Sequence, residues 1–366
     1  MFASVLRVPA AIRPFVLFAF VNAAADSAFY PLLVEVRDDL GLTGAQIGLV
    51  AAAPTLAALV MTVVSGQLAA RYGARRVLLV AALLTPVALL GMAFAPGFYG
   101  LLAARMLFGI AFATNWSVVP AVAASRVPGA GGVGPVIAVS GLAWVVVPVL
   151  SGVLADATEW RVPLLVVGLA SLPIALPFLR GGRDEPLARP VRLRETVPLL
   201  LRSRPVAAAS AVSALLGLIT GSVGVLVPTV LADEGVGPAG IGLSFAAAAA
   251  SWAVAATVAT RVGEARIGVP LMGAATAILA ATLAIPVLNG SVAAIVVFLV
   301  LGGLGRAFLG TLLYPLALRS VEGESGATAI SGLMNLWWAI PAALGPIAAG
   351  AAQADGHARA AFAALF

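Results

Sequence analysis

GQLAARYGARR, Gly66 to Arg76, lies between two long apolar runs, one reaching Ala70 and the next covering Val77 to Pro96. Arg71, Arg75 and Arg76 crowd into the short polar join. Gly66 reads as a helix end and Gly73 as a tight turn, because glycine adopts such backbone at little cost. An arginine-bearing turn between two runs of membrane length implies two spanning helices joined on the cytoplasmic side.

Composition extends that reading to the whole chain. Of 366 residues, 62% are hydrophobic and 10% charged, where a soluble protein carries about a quarter charged. Mean hydropathy is +1.10. The apolar segments are long enough for helices rather than barrel strands, so the chain is an all-α integral membrane protein. The net charge of +6 does not indicate nucleic acid, because the basic residues sit in short joins where they set topology. All 21 are arginine. No cysteine is present and only one histidine, His357, which removes thiol chemistry and a histidine-built metal site. No metal and no cofactor is expected.

The first half reads as six spans: Pro14–Val36, Ala45–Ala70, Val77–Pro96, Phe98–Ser125, Val136–Leu154 and Val162–Leu179. The glycine-rich Pro128–Gly134 reads as a loop. Arg180–Arg204 holds seven arginines and reads as a cytoplasmic connector, either a plain tether or a regulatory segment. The second half reads as Val206–Leu231, Ile241–Thr260, Ile267–Val287, Ser291–Leu318 and Thr328–Ala352. The expected organisation is therefore a bundle over residues 1–180, a connector over 181–204 and a second bundle over 205–366.

The halves repeat. LGLTGAQIG at Leu40 returns as EGVGPAGIG at Glu234, pairing Gly41, Ile47 and Gly48 with Gly235, Ile241 and Gly242. RYGARR at Arg71 returns as RVGEAR at Arg261. A repeat of six predicts a twelfth helix, yet only Ala360–Phe366 follow Arg359. Either the twelfth helix is truncated or the chain has eleven spans; truncation is the expectation. Sixteen arginines fall on the inner side, three outside (Arg37, Arg161, Arg359) and two within spans, Arg105 and Arg306. That asymmetry places the N-terminus in the cytoplasm, with the chain multi-pass in the cell inner (cytoplasmic) membrane. A monomer is expected.

The turn at Gly66–Arg76 resembles a signature of the major facilitator superfamily of secondary transporters, G-x-L-A-D-R-x-G-R-[RK]. Gly66, Leu68, Ala69, Arg71, Gly73 and Arg75 match, while Ala70 and Ala74 replace an acid and an arginine. The resemblance covers the whole chain. It implies two six-helix bundles related by a pseudo-two-fold axis, an alternating-access mechanism, and a gating role for Gly66, Arg71, Gly73, Arg75 and Arg76. Arg105 and Gly109 are similar to a family motif around a membrane arginine linked to proton transfer. Gly134, Pro148 and Gly152 remain from the helix-5 pattern of drug/proton antiporters, which adds Pro148 to the gating set. Arg306 is not the counterpart of Arg105: that pairing needs an offset of 201, whereas Pro120 and Pro315 give 195.

Asp26 is the one acid inside a span. A central charge costs about 2.5–3.5 kcal/mol on insertion scales, so it does not face lipid. Asn22, Asp26 and Tyr30 are spaced to share a helical face. They either line a polar cavity or form a satisfied contact between helices. Asp26 and Arg105 both lie about 12–15 Å below the outer surface at about 1.5 Å per residue, a depth at which they can meet and couple a proton. The offset of 194 puts Thr220 opposite Asp26. Substrate candidates are Asn22, Tyr30, Phe112, Asn115, Trp116, Trp144, Thr220, Trp252, Tyr314, Asn335 and Trp338; each is either packing or ligand contact. An aromatic cavity with few charges suits amphipathic or lipophilic compounds. The expected function is proton-coupled efflux of such a small molecule, with protons and the bilayer as its other partners. Import of an organic solute and a non-transporting receptor or scaffold remain open. An enzyme would need a nucleophile–base or metal cluster, which these residues do not supply.

Overall fold

The computed structural model describes residues 8–127, 130–179, 203–263, 266–318, 323–353 and 362. These contain eleven helices long and apolar enough to cross a membrane. We number them α1 (Ala10–Asp39), α2 (Gly44–Tyr72), α3 (Ala74–Ala93), α4 (Phe98–Arg126), α5 (Ala130–Ala157), α6 (Arg161–Leu179), α7 (Arg204–Asp233), α8 (Pro238–Ala259), α9 (Val269–Leu288), α10 (Val292–Leu318) and α11 (Gly323–Ala352). Most of the connector, and all but Phe362 of the stretch after Gln353, lie outside the described residues.

The helices begin and end for local reasons. Thr43 and Gln46 form a capping box at the start of α2: the Gln46 N–H donates to Thr43 Oγ1 at 3.2 Å, and the Thr43 N–H to Gln46 Oε1 at 2.8 Å. Gly73 separates α2 from α3 with φ of +90°, backbone that a side chain disfavours. Gly41 and Gly235, paired by the sequence repeat, also have positive φ, +60° and +79°. The two corresponding loops thus share a backbone device as well as letters.

Three local expectations are corrected. Gly66 does not end a helix; it lies inside α2, which runs on to Tyr72. The glycine-rich stretch after Pro128 is helical from Ala130 onward. In both places the backbone has no water to bond and satisfies itself as helix despite its glycines. The third concerns α1. Its α-helix stops at Ser27, a 3-10 turn follows at Tyr30–Leu32, and helix resumes over Leu33–Asp39. Pro31 has no N–H, which breaks the hydrogen-bond ladder there. The Ala28 carbonyl accepts instead from Ser151 Oγ of α5, at 2.7 Å.

The chain divides into two compact units. The first comprises Met1–Leu42, Ala53–Pro190 and Gly237–Gly242; the second comprises Thr43–Ala52, Val191–Val236 and Leu243–Phe366. The start of α2 thus groups with the second unit, and the start of α8 with the first. In the first unit α1 packs on α5, and α3 on α4 and α6. Its core joins Phe15, Phe18, Leu78, Val119, Val136 and Phe178, with the Phe178 ring edge-on to Phe15 and Phe18. Arg161 Nη2 and Trp160 Nε1 both reach Asp39 Oδ2, at 2.8 and 3.1 Å, tying the end of α1 to the start of α6.

In the second unit α7 lies along α11. A methyl group at Gly217 or Gly221 would overlap the carbonyls of Trp338 and Ala342. Such close backbone approach is the means by which helices associate in lipid, where no hydrophobic force separates them from solvent. Gly217→Val is expected to lower stability by about 1–3 kcal/mol, the usual range for overpacking. The midpoint of thermal unfolding in detergent would record it.

Candidate functional site

The chemistry of the first unit centres on α1 and α4. Arg105, eight positions into α4, is fully buried. Its Nη1 lies 3.6 Å from Asp26 Oδ1, and Asp26 is 7% exposed. A carboxylate and a guanidinium inside one bundle offset each other's charge, which makes the desolvation of both tolerable. The guanidinium also sits over the Phe29 ring, with the carbon 4.3 Å from the centroid, and within 5.8 Å of Phe108. Phe29 lies in the break of α1, between Ser27 and Tyr30, three residues beyond Asp26 and so on the same side of the helix. The Tyr30 hydroxyl interacts with both charges, and its ring lies 5.4 Å from Trp144 of α5.

Asn22 lies one turn before Asp26 and is fully buried. Neither its amide oxygen nor its nitrogen has a partner among the described residues. Asn115 is also buried, and its oxygen likewise lacks a partner among them. Phe112 bridges Phe108 and Trp116, with centroids 6.1 and 6.4 Å away. Trp116 is 41% exposed. The first unit therefore brings together Asn22, Asp26, Tyr30, Arg105 and Trp144, with Phe112, Asn115 and Trp116 further along α4. Tyr30 does not sit on an unbroken helical face with Asn22, because α1 is interrupted before it.

The remaining candidates lie in the second unit. The Tyr314 hydroxyl of α10 bonds the Asn335 side-chain oxygen of α11 at 3.1 Å. Trp338 contributes its backbone carbonyl to the approach at Gly217. Thr220 is exposed and Trp252 is 40% exposed, and neither joins that hydroxyl–amide pair. Among the described residues no cluster of acids or histidine suits a metal ion.

Sequence reasoning missed Phe29, Phe108, Ser151 and the hydroxyl pair Ser65–Thr114, 2.9 Å apart between α2 and α4. An aromatic three residues beyond a membrane acid is a signal for Phe29. The serines carry none, because their partners are set by packing.

Comparison with known proteins agrees with this architecture. Residues 15–346 match the family described as the Major Facilitator Superfamily. The chain belongs to that superfamily. Among solved structures, it is similar to a bacterial homologue of the human lysosomal transporter Spinster in an inward-facing, occupied conformation. That match has a TM-score of 0.76 and 15% identity, over 94% of this chain and 81% of the other. A nucleoside transporter matches with a TM-score of 0.75 and 13% identity over 98% of each chain. A human organic anion transporter (TETRAN) matches with a TM-score of 0.66 and 17% identity, over 97% of this chain and 96% of the other. At these identities the likeness is one of fold. No curated protein matches the sequence.

Within the superfamily signature, the residues expected to gate have distinct placements. Arg75 Nη2 donates to the Leu179 carbonyl at 2.7 Å, capping the end of α6. Cations favour that end of a helix. Arg71 lies over the Tyr72 ring, 5.1 Å from its centroid. Arg76 is exposed. The Pro148 carbonyl of α5 lies against Gly242 at the start of α8, where a methyl group would overlap it. In this major facilitator chain Arg75 thus holds a backbone carbonyl, and Ala70 supplies no acid to the turn.

Proposed function

We propose that the chain is a secondary active transporter that moves a small amphipathic organic molecule across the cytoplasmic membrane by alternating access. Proton movement through Asp26 drives it. The superfamily is one of transporters, which favours this over an enzyme. The observation that carries the coupling step is the buried Asp26–Arg105 pair. A carboxylate with a single arginine partner can exchange that partner for a proton, so any rearrangement of α1 against α4 changes its proton affinity. The interruption of α1 beside it supplies backbone that can rearrange without breaking a long helix. The Asn22 amide and the Asn115 oxygen, without partners among the described residues, support a polar lining, since a buried amide facing only hydrocarbon would be costly.

Export is the direction we favour, from the antiporter-like residues Gly134, Pro148 and Gly152 in α5. The arginine asymmetry supports a cytoplasmic N-terminus. The similar structures named as transporters of nucleosides and organic anions support an organic solute as cargo.

Reconstitution tests the reading. The purified chain in liposomes, given an imposed pH gradient and a panel of amphipathic dyes and antibiotics, is expected to move at least one compound uphill. A protonophore is expected to stop it. Identical fluxes with and without the gradient for every compound would refute proton-coupled transport.

A further inference from the structure

Three charged residues lie deep in the spans: Asp26, Arg105 and Arg306. Asp26 and Arg105 answer each other, which leaves one positive charge over. No acidic residue occurs in α8, α9 or α10, and those of α7 and α11 sit at the helix ends, Asp233 and Glu324. Among the described residues Arg306 makes no ion pair.

Its placement is on the packed side of α10. Arg306 stands at the centre of the buried face of α10. Residues one and two turns away on that face, Leu299, Gly302, Gly303, Leu309 and Leu313, are all buried. Gly310 and Tyr314 continue the stripe at helical spacing. Gly310 approaches Leu216 of α7, and Tyr314 bonds Asn335 of α11. Arg306 therefore lies on the side of α10 that turns toward its own unit. It is nevertheless only partly buried, so the side chain is not sealed off by its neighbours.

The guanidinium is oriented for a ligand. Nε donates to the Gly302 carbonyl at 3.1 Å. That bond fixes the plane of the group and leaves the two Nη nitrogens without a protein partner among the described residues. Two parallel Nη–H donors match the two oxygens of a carboxylate. A single guanidinium also balances a single negative charge, which favours a carboxylate over a dianionic phosphate ester.

We propose that Arg306 binds the carboxylate of an organic monoanion, so that the transported compounds include aromatic or amphipathic carboxylates. This inference rests on the transport reading above and narrows its substrate class.

Naphthoate and its neutral analogue naphthamide serve as probes, titrated calorimetrically into the purified full chain at neutral pH. The wild type is expected to bind naphthoate at least about tenfold more tightly than the amide, the ratio that a charged hydrogen bond gives. Arg306→Gln is expected to lose about tenfold in naphthoate affinity while naphthamide affinity and the ligand-free unfolding midpoint hold. Arg306→Lys, which keeps the charge without the fork, should fall between. Equal binding of the two probes by the wild type, binding of neither, or an Arg306→Gln variant with the preference intact would each overturn the proposal. Arg306-dependent naphthoate binding in a chain that moves nothing on a pH gradient would overturn the transport reading alone.

Discussion

Asp26→Asn is expected to abolish uphill transport while leaving downhill exchange in place. One unit of pH gradient supplies about 1.4 kcal/mol per proton, a tenfold solute ratio at one-to-one coupling. The wild type should approach that ratio in liposomes, and the variant should settle at equal concentrations on both sides. The amide keeps the size of the carboxyl and still presents an oxygen dipole to the Arg105 guanidinium, 3.6 Å away in the wild type. What disappears is the ability to take up and release a proton. Exchange of labelled for unlabelled compound, with no gradient, checks that binding and rocking persist. Proton-driven accumulation by Asp26→Asn would remove this residue from the coupling step.

Arg105→Leu should do more damage to the fold than Asp26→Asn. Removing one partner of a buried ion pair costs about 3–5 kcal/mol, because the other charge is left uncompensated. Here the loss also includes the stacking on Phe29 and Phe108. The double variant Asp26→Asn, Arg105→Leu should recover part of the loss, because the stranded carboxylate is gone. Unfolding midpoints of the two single variants and the double form a thermodynamic cycle. A double variant as unstable as the sum of the singles would show that the two charges do not stabilise each other.

Much of this molecule is readable from its letters, for a physical reason. In hydrocarbon the backbone must bond to itself, so a long apolar run has one main outcome, and eleven such runs give eleven helices. The same constraint explains where reading failed. Gly66 and the glycines after Pro128 signal loops in water, yet both stretches are helical. The Asp26–Arg105 meeting was accessible because depth in a bilayer is a ruler that turns residue counts into height. Height says nothing about azimuth. The stacking of Phe29 on Arg105 and of Tyr30 on Trp144 depends on which neighbour each ring meets around the helix, and a residue count does not give that. The partner of Arg75 was also illegible, because the Leu179 carbonyl is a backbone atom that every residue possesses.

The matched glycines at Gly41 and Gly235, turned the same unusual way, bear on origins. A backbone habit shared by two loops at corresponding places is what tandem copying of one stretch would leave behind, although helix ends of this kind are also common on their own. Six crossings return a chain to the face it started from, so the second copy could insert in the same sense without reversing its charges. Before the copies were joined, two separate halves would have had to find each other as a homodimer. In such an assembly every acid and arginine would appear twice. The present chain keeps Asp26 in one half and a threonine, Thr220, at the matching place in the other, the kind of division of labour that a symmetric pair of identical subunits cannot make.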